Sequence, residues 1–285
     1  MTTFLSCYCR YSAMIIQSIK NIKMKFQIKS IVTFIAIAMA TALTSCSKDD
    51  ANEVSGTGNL SLEIAPIYKT ANLATDTPYT NSNGEIVKIS TAKFIVSNIV
   101  LTKADGSVYT VPKSESYFIV DELNPQKTKI DLSNIPAGNY TKITYGIGVD
   151  KQQFDMGANG QGDFFAIAQS EDMIWNWSAG YRFVIFEGTY TKPGTVDSDT
   201  PFEVHVGLTG TDYNYTTVTL NLPQNATVRT ATTPKVHIKA DLSQITDGVN
   251  KINFTDNASV AGGSELPLVV ANISNMFSVT DVNNN

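Results

Sequence analysis

From Leu60 onward, hydrophobic and polar residues alternate along the chain with a period of two. This alternation, combined with many β-branched residues, is typical of strands that bury one face. Turn-forming sequences such as Asp105-Gly106 separate the alternating segments. The predicted strands cover residues 60–67, 86–101, 107–111, 117–121, 127–131, 140–149, 182–191, 202–208, 216–222, 234–241 and 251–254.

Helical patterns are rare in the same region. No window shows a sustained hydrophobic period of about 3.6 residues, and short helices are predicted only at 162–169 and 242–247. Strands at this spacing without intervening helices indicate an antiparallel arrangement. We therefore predict an all-β protein, an antiparallel β-sandwich with Greek-key-like connections and long loops. Residues 59–275 would form this single domain, and the polar segment 276–285 is expected to be a frayed tail.

The N-terminal segment follows a different pattern. Lys25 and Lys29 precede an apolar run at 31–43, which is too short for a membrane-spanning helix of about 20 residues but suits the core of a signal peptide. Leu43-Thr44-Ser45-Cys46 resembles the lipobox of bacterial lipoproteins, in which cleavage leaves the cysteine as the lipidated N-terminus. Residues 1–45 are thus predicted to be a leader, with translation starting at Met24, and residues 46–58 a lipidated tether.

The residues after the cysteine bear on location. Ser47-Lys48-Asp49-Asp50 resembles the acidic export signal that sends many Bacteroidota lipoproteins to the outer face of the outer membrane. The protein is accordingly expected to be an outer-membrane lipoprotein that is held to the membrane by its lipid. The sequence leaves open whether it is surface-exposed or faces the periplasm.

Composition and charge exclude several classes of function. The chain has 21 Lys and Arg against 26 Asp and Glu, but five bases and no acid lie in residues 1–45, which leaves 16 bases, 26 acids and a net charge of −10 for the rest. An acidic body argues against nucleic acid as a partner. Of the three cysteines, two fall in the leader and the third is Cys46, so the domain has no disulfide and no cysteine metal site.

Catalytic templates are absent from the sequence. It contains no Gly-x-Ser-x-Gly elbow, no His-Glu-x-x-His pair and no phosphate-binding loop. The two histidines, His205 and His237, have no obvious serine partner in sequence. Carboxylate pairs of the glycosidase kind arise by chance among 26 acids. The chain is therefore predicted not to be an enzyme.

Acidic residues gather in the predicted loops between residues 150 and 172. Carboxylate oxygens of this kind hold Ca²⁺ in proteins, although a solvated acidic rim would have the same composition. The residues of this predicted calcium site are Asp150, Asp155, Asp163, Glu171 and Asp172.

Both tryptophans of the chain, Trp175 and Trp177, lie two residues apart and are followed by Tyr181. In an extended segment the two indoles share one face, about 6.5–7 Å apart. One interpretation is a set of core aromatics with hydrogen-bonded indole N–H groups. The other is an aromatic site, either a platform for sugar rings or indoles beside a metal.

The tryptophan segment also carries a family resemblance. Residues 175–181 (WNWSAGY), followed by Phe186-Glu187-Gly188, resemble the Met-x-Trp-x-Trp-x-x-Gly-Tyr…Glu-Gly signature of the MbnP-like family. These are periplasmic or surface β-proteins associated with methanobactin and copper acquisition. Further blocks resemble the family in the right order, at 94–101, 117–122, 135–140, 147–150 and 202–207, so that the resemblance covers about residues 58–255.

The resemblance implies copper binding through histidines, with a nearby tryptophan that a partner dihaem peroxidase can oxidise to kynurenine. A TonB-dependent transport partner is implied on the same ground. His205 lies where the family has its His-x-Gly, and His237 lies on a late strand that often carries a histidine. Met173 could add a thioether, which suits Cu(I). Two histidines cannot, however, supply a site of three or four imidazoles.

The sequence therefore predicts a non-enzymatic, lipid-anchored cell-envelope protein of the MbnP-like type that binds copper or another metal. The cofactor stays open between copper and calcium. The alternative is a surface β-sandwich module that binds a glycan or a protein, with Trp175, Trp177 and Tyr181 as its aromatic contact site.

Overall fold

A computed structural model describes residues 54–176, 180–196 and 198–285. The predicted leader, Cys46 and most of the predicted tether lie outside the described residues, and so does Trp177. Within the described part, no helix combines the length and the apolar character that crossing a membrane requires.

Sixteen strands make up most of the described chain. They are β1 (Thr57–Tyr68), β2 (Ala71–Asn72), β3 (Tyr79–Thr80), β4 (Ile86–Lys103), β5 (Val108–Thr110), β6 (Tyr117–Asp121), β7 (Lys129–Pro136), β8 (Gly138–Ile147), β9 (Ile174–Asn176), β10 (Gly180–Thr191), β11 (Thr200–Thr209), β12 (Asp212–Tyr213), β13 (Thr216–Val228), β14 (Lys235–Asp241), β15 (Ser259–Val260) and β16 (Phe277–Asn283).

The helices are short. The α-helices are α1 (Lys151–Phe154), α2 (Asp163–Ser170), α3 (Gln244–Asp247) and α4 (Leu266–Ile273), and 3₁₀ turns occupy Lys113–Glu115, Pro125–Lys127 and Ala158–Gln161. α1, the last of these turns and α2 fill the connection between β8 and β9, and this connection delivers β9 to the edge of β10.

The strands form two sheets. The smaller has the order β16-β14-β1-β2 with β7 also paired to β1, and the larger has the order β12-β11-β10-β4-β8-β13 with five short strands attached. The β1–β14 and β11–β15 pairs are parallel, and the other described pairs are antiparallel. The predicted all-β antiparallel sandwich is confirmed.

The inner faces of the two sheets meet in an aromatic contact. Phe277 of β16 packs edge-on against Phe94 of β4, with ring centroids 5.4 Å apart, and against Tyr145 of β8 at 5.5 Å. Edge-to-face packing at this distance is favourable because the positive ring edge meets the negative ring face. The core of the sandwich thus extends between β16 of the small sheet and the centre of the large one.

The frayed tail predicted at 276–285 is wrong. Phe277–Asn283 is a strand that pairs with β14, and the side chains of Phe277 and Val282 are buried. The polar, Asn-rich composition of this segment concealed the two apolar residues. Their odd spacing of five positions also breaks the alternation of a regular strand, because the β14–β16 register shifts between them. The domain therefore continues through β16.

The remaining short elements follow the sequence in part. The helices predicted at 162–169 and 242–247 correspond to α2 and α3, whereas α4 was missed. The strand predicted at 251–254 is wrong, since only a single bridge at Lys251 and a turn are found there. Ile252 and Phe254 are nevertheless buried, so the alternation of apolar residues reflects burial although this segment forms no strand.

One buried acid stands out in the core. Glu122 follows β6, its side chain is buried, and neither carboxylate oxygen has a hydrogen-bond partner in the described part of the chain. Burial, and then the nearby charge of Asp121, raises the pKa of Glu122 to about 8. The hydroxyl of Tyr145 is also buried without a partner, and burial and the charge of Glu122 raise its pKa.

Phe277→Ala should lower the free energy of unfolding by about 3–5 kcal/mol, because it leaves a cavity between the two sheets. Urea denaturation followed by circular dichroism measures this change. Val249→Ala is the matched control, since Val249 is 86% exposed and should change stability by less than about 0.5 kcal/mol. A similarly small effect of Phe277→Ala would show that the C-terminal segment does not contribute to the core.

Glu122→Gln should make the protein more stable at neutral pH. The folded state holds the Glu122 proton more tightly than the unfolded chain, so wild-type stability falls as pH rises from about 4.5 to about 8. The variant lacks this slope and should be more stable by about 3 kcal/mol at pH 7, with the two curves meeting near pH 4.

The same urea series at several pH values tests this, with Glu115→Gln on the surface as the control. Equal pH dependence of wild type and Glu122→Gln would contradict the assignment.

Candidate functional site

His205 lies in β11 on the outer face of the large sheet. Its neighbours Val204 and Val206 are fully buried in the core, and strand alternation turns the imidazole the other way. Only 7% of His205 is nevertheless exposed. The reason is β9, which pairs with β10 and brings the indole of Trp175 to 6.1 Å from the imidazole, with the rings inclined at 62°.

The imidazole is paired with a carboxylate. Nε2 of His205 lies 2.6 Å from Oε1 of Glu187, which belongs to the adjacent strand β10. The residue directly across from His205 in the ladder is Ile185, so the pair runs diagonally between the strands. Imidazole nitrogen and carboxylate oxygen are both proton carriers and both metal ligands.

The position of Trp175 depends on a glycine in β11. A Cβ at Gly207 would lie 2.9 Å from Cζ3 of Trp175 and 2.5 Å from the carbonyl oxygen of Tyr181, so only glycine lets the indole lie this close to the strand. On the indole face, the guanidinium carbon of Arg182 lies 5.8 Å from the ring centroid, a cation–π contact. Trp175 is therefore a packed residue with a covered face, not an open platform for sugar rings.

A polar cavity of about 380 Å³ opens beside this cluster. Its walls come from β4, β10, the segment after β6 and the turn after α2, and include Lys93, Arg182 and Glu187. A second cavity of about 470 Å³, lined by Glu203 and Ser259 among others, shares Ser90 and Glu187 with the first. Glu187 thus borders both cavities on the outer face of β10.

Most charges around the first cavity are already paired. Lys93 Nζ lies 3.5 Å from Glu171 and 4.0 Å from Asp121, and Lys127 also binds Glu171. The hydrogen bond from Lys127 holds the pKa of Glu171 below its ordinary value. The carboxylate of Glu171 therefore stays ionised at neutral pH.

The second histidine lies in the other sheet. His237 belongs to β14, where its Nδ1 is 2.7 Å from Asp281 and its Nε2 is 3.2 Å from Glu63. Its side chain is 34% exposed. His205 and His237 thus lie in separate environments, and each imidazole contacts different carboxylates.

The structure does not assemble the predicted metal set of His205, His237 and Met173. The side chain of Met173 is buried and its carbonyl oxygen accepts the main-chain N–H of Arg182. Among the described residues, no group of three or more His, Cys, Asp or Glu side chains is placed to hold a metal ion. The reason is topological, since β11 and β14 belong to different sheets.

The five acids of the predicted calcium site do not converge either. Asp150 accepts hydrogen bonds from Lys113, Asn98 and Tyr117, which outweigh the effect of its burial and lower its pKa to about 2. Asp155 pairs with Lys151 at 2.7 Å. Of the other three acids, Glu171 pairs with lysines, and Asp163 and Asp172 are exposed and make no described ion pair. Ca²⁺ requires six to eight oxygens around one point, which this arrangement lacks.

The three residues of the predicted aromatic site, Trp175, Trp177 and Tyr181, do not form one contact surface in the described part of the chain. Tyr181 is buried, stacks on Phe164 with ring centroids 5.7 Å apart, and donates its hydroxyl proton to Gln161 at 3.3 Å, so it supports the fold beneath the site. Trp177 lies outside the described residues. Only Trp175 of the three contacts His205 in the described part.

Sequence reasoning missed two residues that shape the site, Arg182 and Gly207. Arg182 is seven positions beyond Trp175, and only the β9–β10 pairing brings them together. Gly207 did carry a signal, because a glycine in a strand interior often marks a close approach of another group.

The protein-family model described as MbnP matches residues 57–265, which is well over half of the chain. Among solved structures, MbnP from Methylosinus trichosporium is similar, with 16% sequence identity and a TM-score of 0.45 over 73% of this chain and 82% of that one. No curated protein matches the sequence. On the strength of the family match, this chain belongs to the MbnP family.

Proposed function

We propose that this protein is a non-enzymatic cell-envelope protein, held to the outer membrane by a lipid on Cys46, that binds one copper ion through His205 and Glu187. The observation that carries the proposal is the buried imidazole of His205, whose Nε2 lies 2.6 Å from a carboxylate oxygen of Glu187 beside a polar cavity.

The donor set fits copper. Imidazole nitrogen and carboxylate oxygen are both accepted by Cu(II), and two donors so close together can reach one ion without moving the strands. Glu187 lines the cavity, so solvent or a small molecule could fill the remaining coordination positions. The Trp175 indole shields the other side of the imidazole.

Non-enzymatic behaviour is supported by the hydrogen bonds of the two histidines. In the described part of the chain, the imidazoles of His205 and His237 contact carboxylates and no hydroxyl group. The activated nucleophile of a hydrolase needs such a hydroxyl or thiol next to its base. Neither histidine has that arrangement.

Partners and location rest on the sequence. A dihaem peroxidase or a TonB-dependent transporter is proposed from the family resemblance, and the outer membrane from the lipobox and the acidic residues after Cys46. The glycan-binding alternative receives less support, because the ring face of Trp175 is covered by Arg182.

Copper binding should be lost on changing His205 and retained on changing His237. Metal-free protein that begins after Cys46 should bind about one equivalent of Cu(II), and quenching of tryptophan fluorescence measures this binding. The His205→Ala change should weaken copper binding at least about tenfold. His237→Ala is the matched control, since His237 also pairs with carboxylates but lies in the other sheet. Stoichiometry near zero, or equal losses in both variants, would contradict the proposal.

Lipid attachment has its own test. Cys46→Ala should abolish the incorporation of a radiolabelled fatty acid into the protein, because it removes the thiol that would carry the lipid. Immunoprecipitation after labelling measures this, with Ser47→Ala as the control. Label retained in Cys46→Ala would contradict lipid attachment at this cysteine.

A further inference from the structure

The guanidinium of Arg182 has an unusual environment. It lies over the indole of Trp175, and in the described part of the chain it makes neither an ion pair nor a hydrogen bond. Its Nε atom is buried and lacks a partner. A guanidinium offers five N–H donors in a planar fork, and leaving a buried donor unsatisfied is unfavourable. Arg182 also lines the 380 Å³ cavity, so its donors border a space that a ligand could enter.

The other charges of this cavity define what would fit. Its lining includes two basic residues, Lys93 and Arg182, and four acidic residues. Three of the acids, Asp121, Glu171 and Glu187, contact Lys93, Lys127 or His205, whereas Asp172 has no ion pair among the described residues. A simple anion would meet an excess of carboxylates, and a simple cation would leave the Arg182 guanidinium without an acceptor.

Asp172 is placed against the preferences of its local structure. It follows the end of α2 with φ 60°, and Met173 N–H bonds back to the carbonyl oxygen of Ala168 at 2.8 Å, which is the Schellman arrangement. Glycine is preferred at this left-handed position, and a negative charge at a helix C-terminus is unfavourable. A carboxylate at this point lowers stability and yet lines the cavity, as is common at functional positions.

We propose that this cavity binds a small zwitterion of the α-amino acid type, whose carboxylate is held by the guanidinium of Arg182 and whose ammonium group is held by Asp172. Such a ligand supplies an acceptor for Arg182 and a cation for Asp172, which neither residue finds among the described residues, and it leaves the net charge of the cavity unchanged. A guanidinium fork matches a carboxylate bidentately. The Trp175 ring fixes the guanidinium, which lowers the entropy lost on binding. This inference goes beyond copper binding and does not require a metal.

Isothermal titration calorimetry on metal-free protein, in the presence of EDTA, tests the proposal with three probes. L-Alanine carries both charges, N-acetyl-L-alanine lacks the ammonium group, and L-alaninamide lacks the carboxylate. Saturable binding is expected for alanine, with binding at least about tenfold weaker for each of the other two. Absence of saturable alanine binding, or equal binding of the three probes, would overturn the proposal.

Two variants of Arg182 test its role. Arg182→Gln should weaken alanine binding at least about tenfold, and Arg182→Lys should do so less strongly because it keeps the charge but loses the fork. The matched control is Arg229→Gln, since Arg229 already donates to the carbonyl oxygens of Gly138 and Val228 and to Asn139. Unchanged alanine binding in Arg182→Gln would overturn the assignment.

Asp172→Gly separates a binding role from a structural one. Glycine suits the left-handed position after α2, so the variant should unfold a few degrees above the wild type while it binds alanine at least about tenfold more weakly. A variant that gains stability and keeps full alanine affinity would overturn the role of Asp172. Because all these titrations exclude copper, their outcome is independent of the copper titration of His205→Ala.

Discussion

The contact between the indole of Trp175 and the bare backbone of Gly207 determines the outer face of the large sheet. Any side chain at Gly207 would meet both the indole and the carbonyl oxygen of Tyr181. With glycine there, the indole of Trp175 packs against β11 and covers His205. The same indole then supports the guanidinium of Arg182. One missing side chain thus explains how an outward-facing histidine becomes buried and how an arginine is held beside the cavity.

Electrostatics distinguishes this face from the rest of the acidic domain. Lysines neutralise the carboxylates of Asp121 and Glu171, and His205 contacts Glu187. In an environment with a dielectric constant below that of water the lysine–carboxylate pairs interact strongly, so an organic ligand gains little by competing with them. Within the described part of the chain Arg182 and Asp172 form no ion pair, so an organic ligand can bind these two groups without breaking an existing pair.

Alternation of hydrophobic residues predicted the sandwich because a strand with one buried face must show it. Alternation with Val204 and Val206 is consistent with the outward direction of His205, but it does not reveal the burial of His205, because the strand that covers this face, β9, is distant along the chain. The small helix α4 was missed because its sequence, LPLVVANI, is apolar at nearly every position, so that no polar face marks a helical period. The Asn-rich end concealed β16, whose buried contacts come from only two apolar residues, Phe277 and Val282. The separation of His205 from His237 is a matter of sheet topology, which spacing along the chain does not encode.

In the described part of the chain, Glu122 and Asp172 are both acids in unfavourable positions, but their surroundings differ. Glu122 is an acid whose oxygens lack partners within the core, and it lines neither cavity near His205. Its effect is confined to stability, which it lowers as pH rises. Asp172 is exposed at the end of α2 and lines the cavity that Arg182 also lines. A destabilising residue is evidence of function only where a ligand can reach it. That condition is met by Asp172, and it places the proposed amino-acid site beside the turn between α2 and β9.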